Sequence, residues 1–384
     1  MENKKLIYLD YNATTPVDQS VMDAMIPYFT TMFGNASSDH FFGWDADEAV
    51  ERSRASIATL VGCKSNEITF TSGATEAANI SLYGFCEGNK DKGNHIITVS
   101  TEHNSVLKTM EALESKGFTV TYLNVDSEGN INIDELRDNI TDRTFLVAIM
   151  LANNETGLLH PIKEIANIVH SKGVKLLCDI TQAVGKIPVN LKELEIDLAF
   201  FSSHKIYGPK GVGALFINNG SQLTIKTVIF GGGQEGGLRS GTLNVPAIVG
   251  FGIAAEKAME VMEDQMLRTA KTREYLESEL KQIEGVTIIS ENSKRLPNTT
   301  NFSVENIDGT KLLRRLNTIA ISRGSACHSN TVQPSHVLKA MGLTDNEALS
   351  SFRISLGRNT NFDEVEIAVK SIKESINSLQ NVIV

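Results

Sequence analysis

Short runs of β-branched and aromatic residues alternate along the chain with longer stretches whose apolar side chains recur every three or four positions. That alternation is the pattern of a mostly parallel sheet covered by helices. Strands are predicted at residues 67–71, 95–100, 119–124, 144–150, 174–180, 197–202 and 212–217. Before the fifth lies an amphipathic helix: Ile162, Ile165, Ala166 and Val169 fall on one face, with Pro161 at its start and Gly173 at its stop. After the glycine cluster Gly231, Gly232, Gly233, Gly236 and Gly237 the texture changes. A helical stretch over about 247–283 leads into short strands at 286–290 and 300–304, a helix near 310–316, a strand at 318–322 and a terminal helix. In that last helix Asn361 and Glu364 are spaced as a capping box, and Val365, Val369, Ile372 and Ile376 share a face. A large α/β domain to about residue 255 and a smaller α+β domain after it are expected, with the first dozen residues packing on either.

Composition narrows the functional classes. The chain has 384 residues, 36 Lys and Arg against 46 Asp and Glu, a net charge of −10, and 41% hydrophobic residues. Apolar content on this scale builds a large core and excludes a disordered chain. The acidic balance argues against nucleic-acid binding, which needs surplus cations to neutralise phosphates. Four cysteines occur, Cys63, Cys86, Cys178 and Cys327, with no CxxC pair. This spacing argues against a disulfide framework or a zinc site and suits a reducing compartment. The apolar run at residues 6–9 is far shorter than the roughly 7–15 residues of a secretion signal. A soluble cytoplasmic protein is expected.

Candidate chemistry gathers at strand ends. Ser202-Ser203-His204-Lys205 follows the strand at 197–202, and Thr71-Ser72-Gly73-Ala74-Thr75-Glu76 follows that at 67–71. Asp179 ends a buried-looking strand before Thr181 and Gln182, Glu102-His103 follows 95–100, and Asn153-Asn154-Glu155 follows 144–150. Singly, each has a structural reading as a surface loop, helix cap or turn. Together they differ, because parallel strands gather their carboxyl ends along one edge, where ligands of open α/β sheets bind. A helix start for phosphate, a carboxylate for a ring nitrogen, an imidazole and a lysine describe a pyridoxal-phosphate pocket, with the lysine as Schiff-base partner. A second candidate is Cys327 within Arg323-Gly324-Ser325-Ala326-Cys327-His328, a thiol set among small residues. Arg323 and His328 there are placed to favour its thiolate. Cys63, Cys86 and Cys178 read as packing residues.

The order and spacing of these segments resemble the NifS/IscS-type cysteine desulfurases, among the fold-type I pyridoxal-phosphate enzymes. The matching stretches include Tyr8-Leu9-Asp10-Tyr11-Asn12-Ala13-Thr14-Thr15-Pro16, Thr71–Glu76, Glu102-His103, Asn153-Asn154-Glu155, Asp179–Gln182, Ser202–Gly211, Arg239-Ser240-Gly241-Thr242, Gly324–Cys327 and Arg353–Gly357. The resemblance implies a mostly parallel, seven-stranded large domain at 14–255, and a small domain from 1–13 and 256–384 carrying the cysteine loop. It implies pyridoxal 5′-phosphate bound to Lys205, with His103 stacked on the ring, Asp179 at the ring nitrogen and Gln182 at the ring oxygen. Asn154 would lie beside the same ring edge and the substrate. Ala74, Thr75, Ser202 and His204 would hold the phosphate, and Thr242 would reach the neighbouring site of a homodimer. Arg353 would grip the substrate carboxylate. The implied reaction takes sulfur from L-cysteine, leaving L-alanine and a persulfide on Cys327 for an acceptor such as an iron–sulfur scaffold. No metal, nucleic acid or membrane is implied. Departures from the family pattern fall at Ala36, Gly236-Gly237, Arg323 and His328, around the substrate mouth. The scaffold also suits an α,β-lyase acting on selenocysteine, cystine, selenocystine or a D-amino acid without a cysteine persulfide. A non-catalytic sulfur-transfer scaffold is a third reading.

Overall fold

Parallel strands covered on both faces must be apolar throughout, and the expected strands form such a sheet. The computed structural model describes residues 6–323 and 333–380. Its strands are β1 (Ile7–Tyr8), β2 (Ile68–Thr71), β3 (His95–Val99), β4 (Thr119–Leu123), β5 (Thr144–Ala148), β6 (Lys175–Asp179), β7 (Leu198–Ser202), β8 (Gly213–Ile217), β9 (Val286–Ile289), β10 (Thr299–Val304), β11 (Ile319–Ala320) and β12 (Ser351–Ser355). Seven of them make one sheet in the order β2-β8-β7-β6-β5-β3-β4, in which β8 alone runs against its neighbours. The carboxyl ends of β2, β3, β5, β6 and β7 therefore share one edge. Side chains alternate between two cores: Val147, Ala199 and Phe201 pack on one face, Leu146, Leu198 and Phe200 on the other. The helix Ile162–Ser171 buries Ile162, Ile165, Ala166 and Val169 on the first face, and the helix Ala74–Gly88 buries Ala77, Ile80 and Phe85 on the second.

The helix Val245–Leu280 joins this layer to the rest. Its first half, through Ala258, packs into the first core, while Leu276 and Leu280 belong to a separate cluster with Ile7, Leu9, Phe302, Phe352, Ile354 and the terminal helix. That cluster is built on a three-stranded antiparallel sheet, β12-β10-β9. The chain start also serves it, since β1 pairs parallel with β11. The terminal helix Phe362–Gln380 is capped as expected, with Asn361 N–H donating to Glu364 and Glu364 N–H donating back at 2.9 Å.

Three differences from the sequence reading stand out. The strand expected at 318–322 shrinks to β11, because the chain leaves β1 after Ala320 and Ser322 bridges to Arg353 instead. β12 is an addition: Ser-Phe-Arg-Ile-Ser alternates polar and apolar residues, but all five are buried, and the charge on its polar phase is one that folding supplies with a partner. The helix Phe41–Val61, also an addition, buries Ala46, Val50, Ser53 and Ile57 against the long helix. A Cβ on Gly252 would stand 2.7 Å from Ser53 Cα, so the two helices touch through backbone.

Candidate active site

A cavity of about 660 Å³ opens at the carboxyl edge of the seven-stranded sheet. Lys205 reaches it from the short turn after β7. Its Nζ donates to the carbonyls of Asn12 (2.6 Å) and Ala13 (2.7 Å), which the N-terminal segment lays across the cavity floor. Thr15 clamps that segment to the lysine's loop: its N–H donates to the His204 carbonyl at 3.0 Å, and its Oγ1 accepts from Tyr207 N–H at 2.8 Å. Burial, then the nearby Arg353 cation, pushes the Lys205 amine down to about 8, against the pull of Asp179 and Asp10. A lysine so placed has an accessible free-base form, which a nucleophilic amine requires.

Asp179 ends β6 and lines the same cavity. Its Oδ1 accepts from Thr181 N–H at 2.8 Å. Burial pushes its carboxyl up, while the Thr181 bonds and the proximity of His103 and Lys205 pull it down. A buried carboxylate is stable only opposite a cation, so the site fits a protonated heterocyclic nitrogen. His103 caps the helix Asn104–Glu114, its Nδ1 accepting from Ser105 N–H at 3.1 Å. The neutral ring therefore carries its proton on Nε2. Burial favours that neutral form, and Lys205 and His336 add to it against Asp179.

The anion end of the cavity is the start of the helix Ala74–Gly88, which no side chain caps. Its first backbone N–H groups and the Thr75 hydroxyl are left for a ligand, as a phosphate needs. Only glycines allow this approach: Gly73 holds φ at +152°, and a Cβ on Gly213 would stand 2.7 Å from Gly73 Cα. Ser202 and His204 line the same end, and burial holds the His204 imidazole neutral, at about 4. The residues thus fit pyridoxal 5′-phosphate: an uncapped helix start, a buried carboxylate, a neutral ring and an amine around one cavity.

Arg353 reaches the cavity from the middle of β12. Its Nη2 pairs with Asp10 at 2.6 Å, its Nη1 donates to the Asn154 carbonyl at 2.8 Å, and its buried Nε has no partner among the described residues. Asn154 and Gln182 line the cavity too, and Gln182 Nε2 donates to the Asn12 carbonyl at 3.0 Å. Ten of the twelve sequence-derived site residues meet here: Ala74, Thr75, His103, Asn154, Asp179, Gln182, Ser202, His204, Lys205 and Arg353. Thr242 does not join them; it is exposed, beyond Arg239, whose Nε pairs with Glu76 of the phosphate helix at 2.8 Å. Cys327 lies outside the described residues, as does His328. Ser322 and His336, on either side of that segment, both line the cavity. Arg323 does not; its Nη1 donates to Thr310 at 3.0 Å. The described thiols are poor nucleophiles, since burial pushes Cys63 up to about 12 and raises Cys86 and Cys178 as well.

Sequence reasoning gave no role to Asp10, Asn12, Lys186 or His336. The signal for the first two was an Asp-x-Asn directly after the apolar run at 6–9; the others carry none in their local sequence. Among the described residues no group of three or more His, Cys, Asp or Glu suits a metal ion, and no helix is long and apolar enough to cross a membrane.

Comparison with known proteins agrees with this geometry. The aminotransferase class-V family matches residues 7–367. The chain is 45% identical to the cysteine desulfurase IscS of Anaeromyxobacter sp. (strain Fw109-5), over 97% of its own length and 93% of that protein. It is likewise 45% identical to the cysteine desulfurase IscS of Neisseria meningitidis serogroup C / serotype 2a, over 99% and 94%. Among solved structures, a NifS-like protein superposes with a TM-score of 0.91 at 40% identity, covering 97% of this chain and all of that one.

Proposed function

The chain belongs to the aminotransferase class-V family, in its cysteine desulfurase branch, and from that premise we propose how its residues remove sulfur from L-cysteine. It is a pyridoxal 5′-phosphate-dependent cysteine desulfurase on a fold-type I scaffold. Bound in the cavity, the cofactor supplies an electron sink conjugated to the substrate's α-carbon, which makes that C–H acidic and the neighbouring C–S bond breakable. In our reading Ala74, Thr75, Ser202 and His204 hold its phosphate, Asp179 keeps its ring nitrogen protonated, His103 covers its face, and Gln182 donates to its ring oxygen. Arg353 takes the substrate carboxylate, with Asn154 beside it. Lys205 is the covalent anchor and, once released, the base that moves the α-proton, a role suited to an amine near 8.

The sulfur goes to Cys327. Its thiolate attacks the substrate sulfur, an S–S bond forms as the substrate C–S bond breaks, and proton return to the former β-carbon gives alanine. The sum is L-cysteine plus Cys327 thiol giving L-alanine plus Cys327 persulfide. We place the cysteine segment in a small lobe of residues 1–13 and 256–384, against a cofactor lobe of 14–255. We also read the enzyme as a cytoplasmic homodimer in which Thr242 completes the neighbouring phosphate site, and the persulfide as bound for an acceptor protein such as an iron–sulfur scaffold. The observation that carries the reading is the meeting of Lys205, Asp179, His103 and an uncapped helix start in one cavity.

The test is product analysis of the holoenzyme on L-cysteine. Alanine equal to sulfur released, with a persulfide mapped to Cys327 and no turnover in Cys327→Ala, is expected. Pyruvate in place of alanine, at a rate indifferent to Cys327→Ala, would overturn it in favour of the lyase.

A further inference from the structure

Lys186 is buried, lies four residues beyond Gln182, and has no part in the chemistry above. Its Nζ donates to Gln182 Oε1 at 2.5 Å and to Asn12 Oδ1 at 2.9 Å. Gln182 Nε2 donates in turn to the Asn12 carbonyl, and a carbonyl only accepts, so the amide is held one way round: nitrogen toward Asn12, oxygen on Lys186. Asn12 is held as firmly. Its Oδ1 also accepts from Asn298, its Nδ2 donates to Thr299 Oγ1 and the Asn154 carbonyl, and its N–H donates to Ser355. The carbonyl of this same residue accepts from Lys205.

Among the described residues no carboxylate is bonded to the Lys186 amine. Burial, and after it the nearby cations Lys205 and Arg353, push it well below its ordinary range. Two of the amine's N–H groups are received by two amide oxygens. A buried amine spent on two side-chain amides beside a catalytic lysine fixes orientation, because a hydrocarbon would fill the same space without the desolvation.

We propose that Lys186 is a positioning residue: it holds the Gln182 amide so that the nitrogen's second hydrogen, the one not given to the Asn12 carbonyl, faces the cofactor's ring oxygen, and holds Asn12 with its carbonyl on Lys205. One buried amine thereby sets both attachments of the cofactor's reactive edge. The inference rests on the assignment of Gln182 to the ring oxygen. Lys186→Met keeps the stem and removes both donors, so the Gln182 amide oxygen loses the partner that fixes which way round the amide sits.

The experiment is a pH titration of the cofactor's visible absorption band in purified holoenzyme, with steady-state kinetics alongside. Losing an N–H donor leaves more negative charge on the ring oxygen, so the neighbouring Lys205 nitrogen holds its proton to higher pH. In Lys186→Met the midpoint should rise by about one pH unit, with kcat down about tenfold and KM within about twofold because Arg353 is untouched. Gln182→Ala should shift the band the same way, and the double variant no further than Gln182→Ala alone. An unmoved midpoint in Lys186→Met, with Gln182→Ala shifted, would overturn the inference and leave Lys186 as filler. An unmoved midpoint in both would overturn it by removing the Gln182 assignment beneath it. Should Lys186→Met not fold, Lys186→Leu, which also lacks a donor, is read by the same criteria.

Discussion

The two sheets present their chemistry in opposite ways. On the seven-stranded sheet the working groups stand at or just past the strand ends, where the ladder's hydrogen bonds run out and backbone N–H groups, Asp179, His103 and Lys205 turn toward a ligand. On the three-stranded sheet Arg353 projects from mid-strand, and its charge is matched inside the protein by Asp10 and the Asn154 carbonyl. A group at a strand end is free to await its partner. One inside a buried sheet needs a partner in order to fold, since an unmatched buried guanidinium is strongly destabilising. The first region is therefore separable from stability, and the second is not.

Asp179→Asn gives the largest effect. The amide keeps the shape and loses the charge, so kcat should fall by about 10²–10³-fold, the range for one preorganised electrostatic group. The thermal midpoint should hold or rise, because the native carboxyl is buried with its charged form disfavoured. A variant that keeps its rate, or that melts far lower, would erase the contrast between the sheets. Arg353→Lys gives a smaller change in turnover but touches both properties. Losing the planar fork should raise KM by about 10–100-fold, from the roughly 1.5–3 kcal/mol of hydrogen bonds to a charged group. Denaturant unfolding should show a loss of about 1–3 kcal/mol, with Asp10 left a poorer partner. A KM effect with stability intact would place Arg353 with the strand-end groups instead.

Much of the first region was legible in the sequence, because buried parallel strands read as apolar runs and their polar C-terminal neighbours stand out against them. The helix Ile162–Ser171 was equally plain, with its stripe and its Pro and Gly ends. In the second region β9, β10 and the terminal helix were legible too, but β12 was not. β12 has only two apolar residues, and the polar phase of its alternation is buried too, including an arginine whose partner Asp10 is 343 residues away. Lys186 looks like any lysine in a Gly-Lys turn, and Asn12, which it holds, is 174 residues distant. Local pattern reports burial through runs and periods; single polar residues whose burial is made tolerable by remote partners leave no such trace.

The central claim is that the Lys205 amine, loosened by burial to about 8 from an ordinary 10.5, takes the cofactor. It is tested by adding pyridoxal 5′-phosphate to the apoenzyme at stepped pH, reducing with borohydride, and mapping the pyridoxyl label by mass spectrometry. Only the unprotonated amine reacts, so uptake should climb about tenfold per pH unit below 8 and level off above it, with the label on Lys205. Label on Lys186 or Lys210 instead, or uptake that still climbs steeply beyond pH 9, would contradict it.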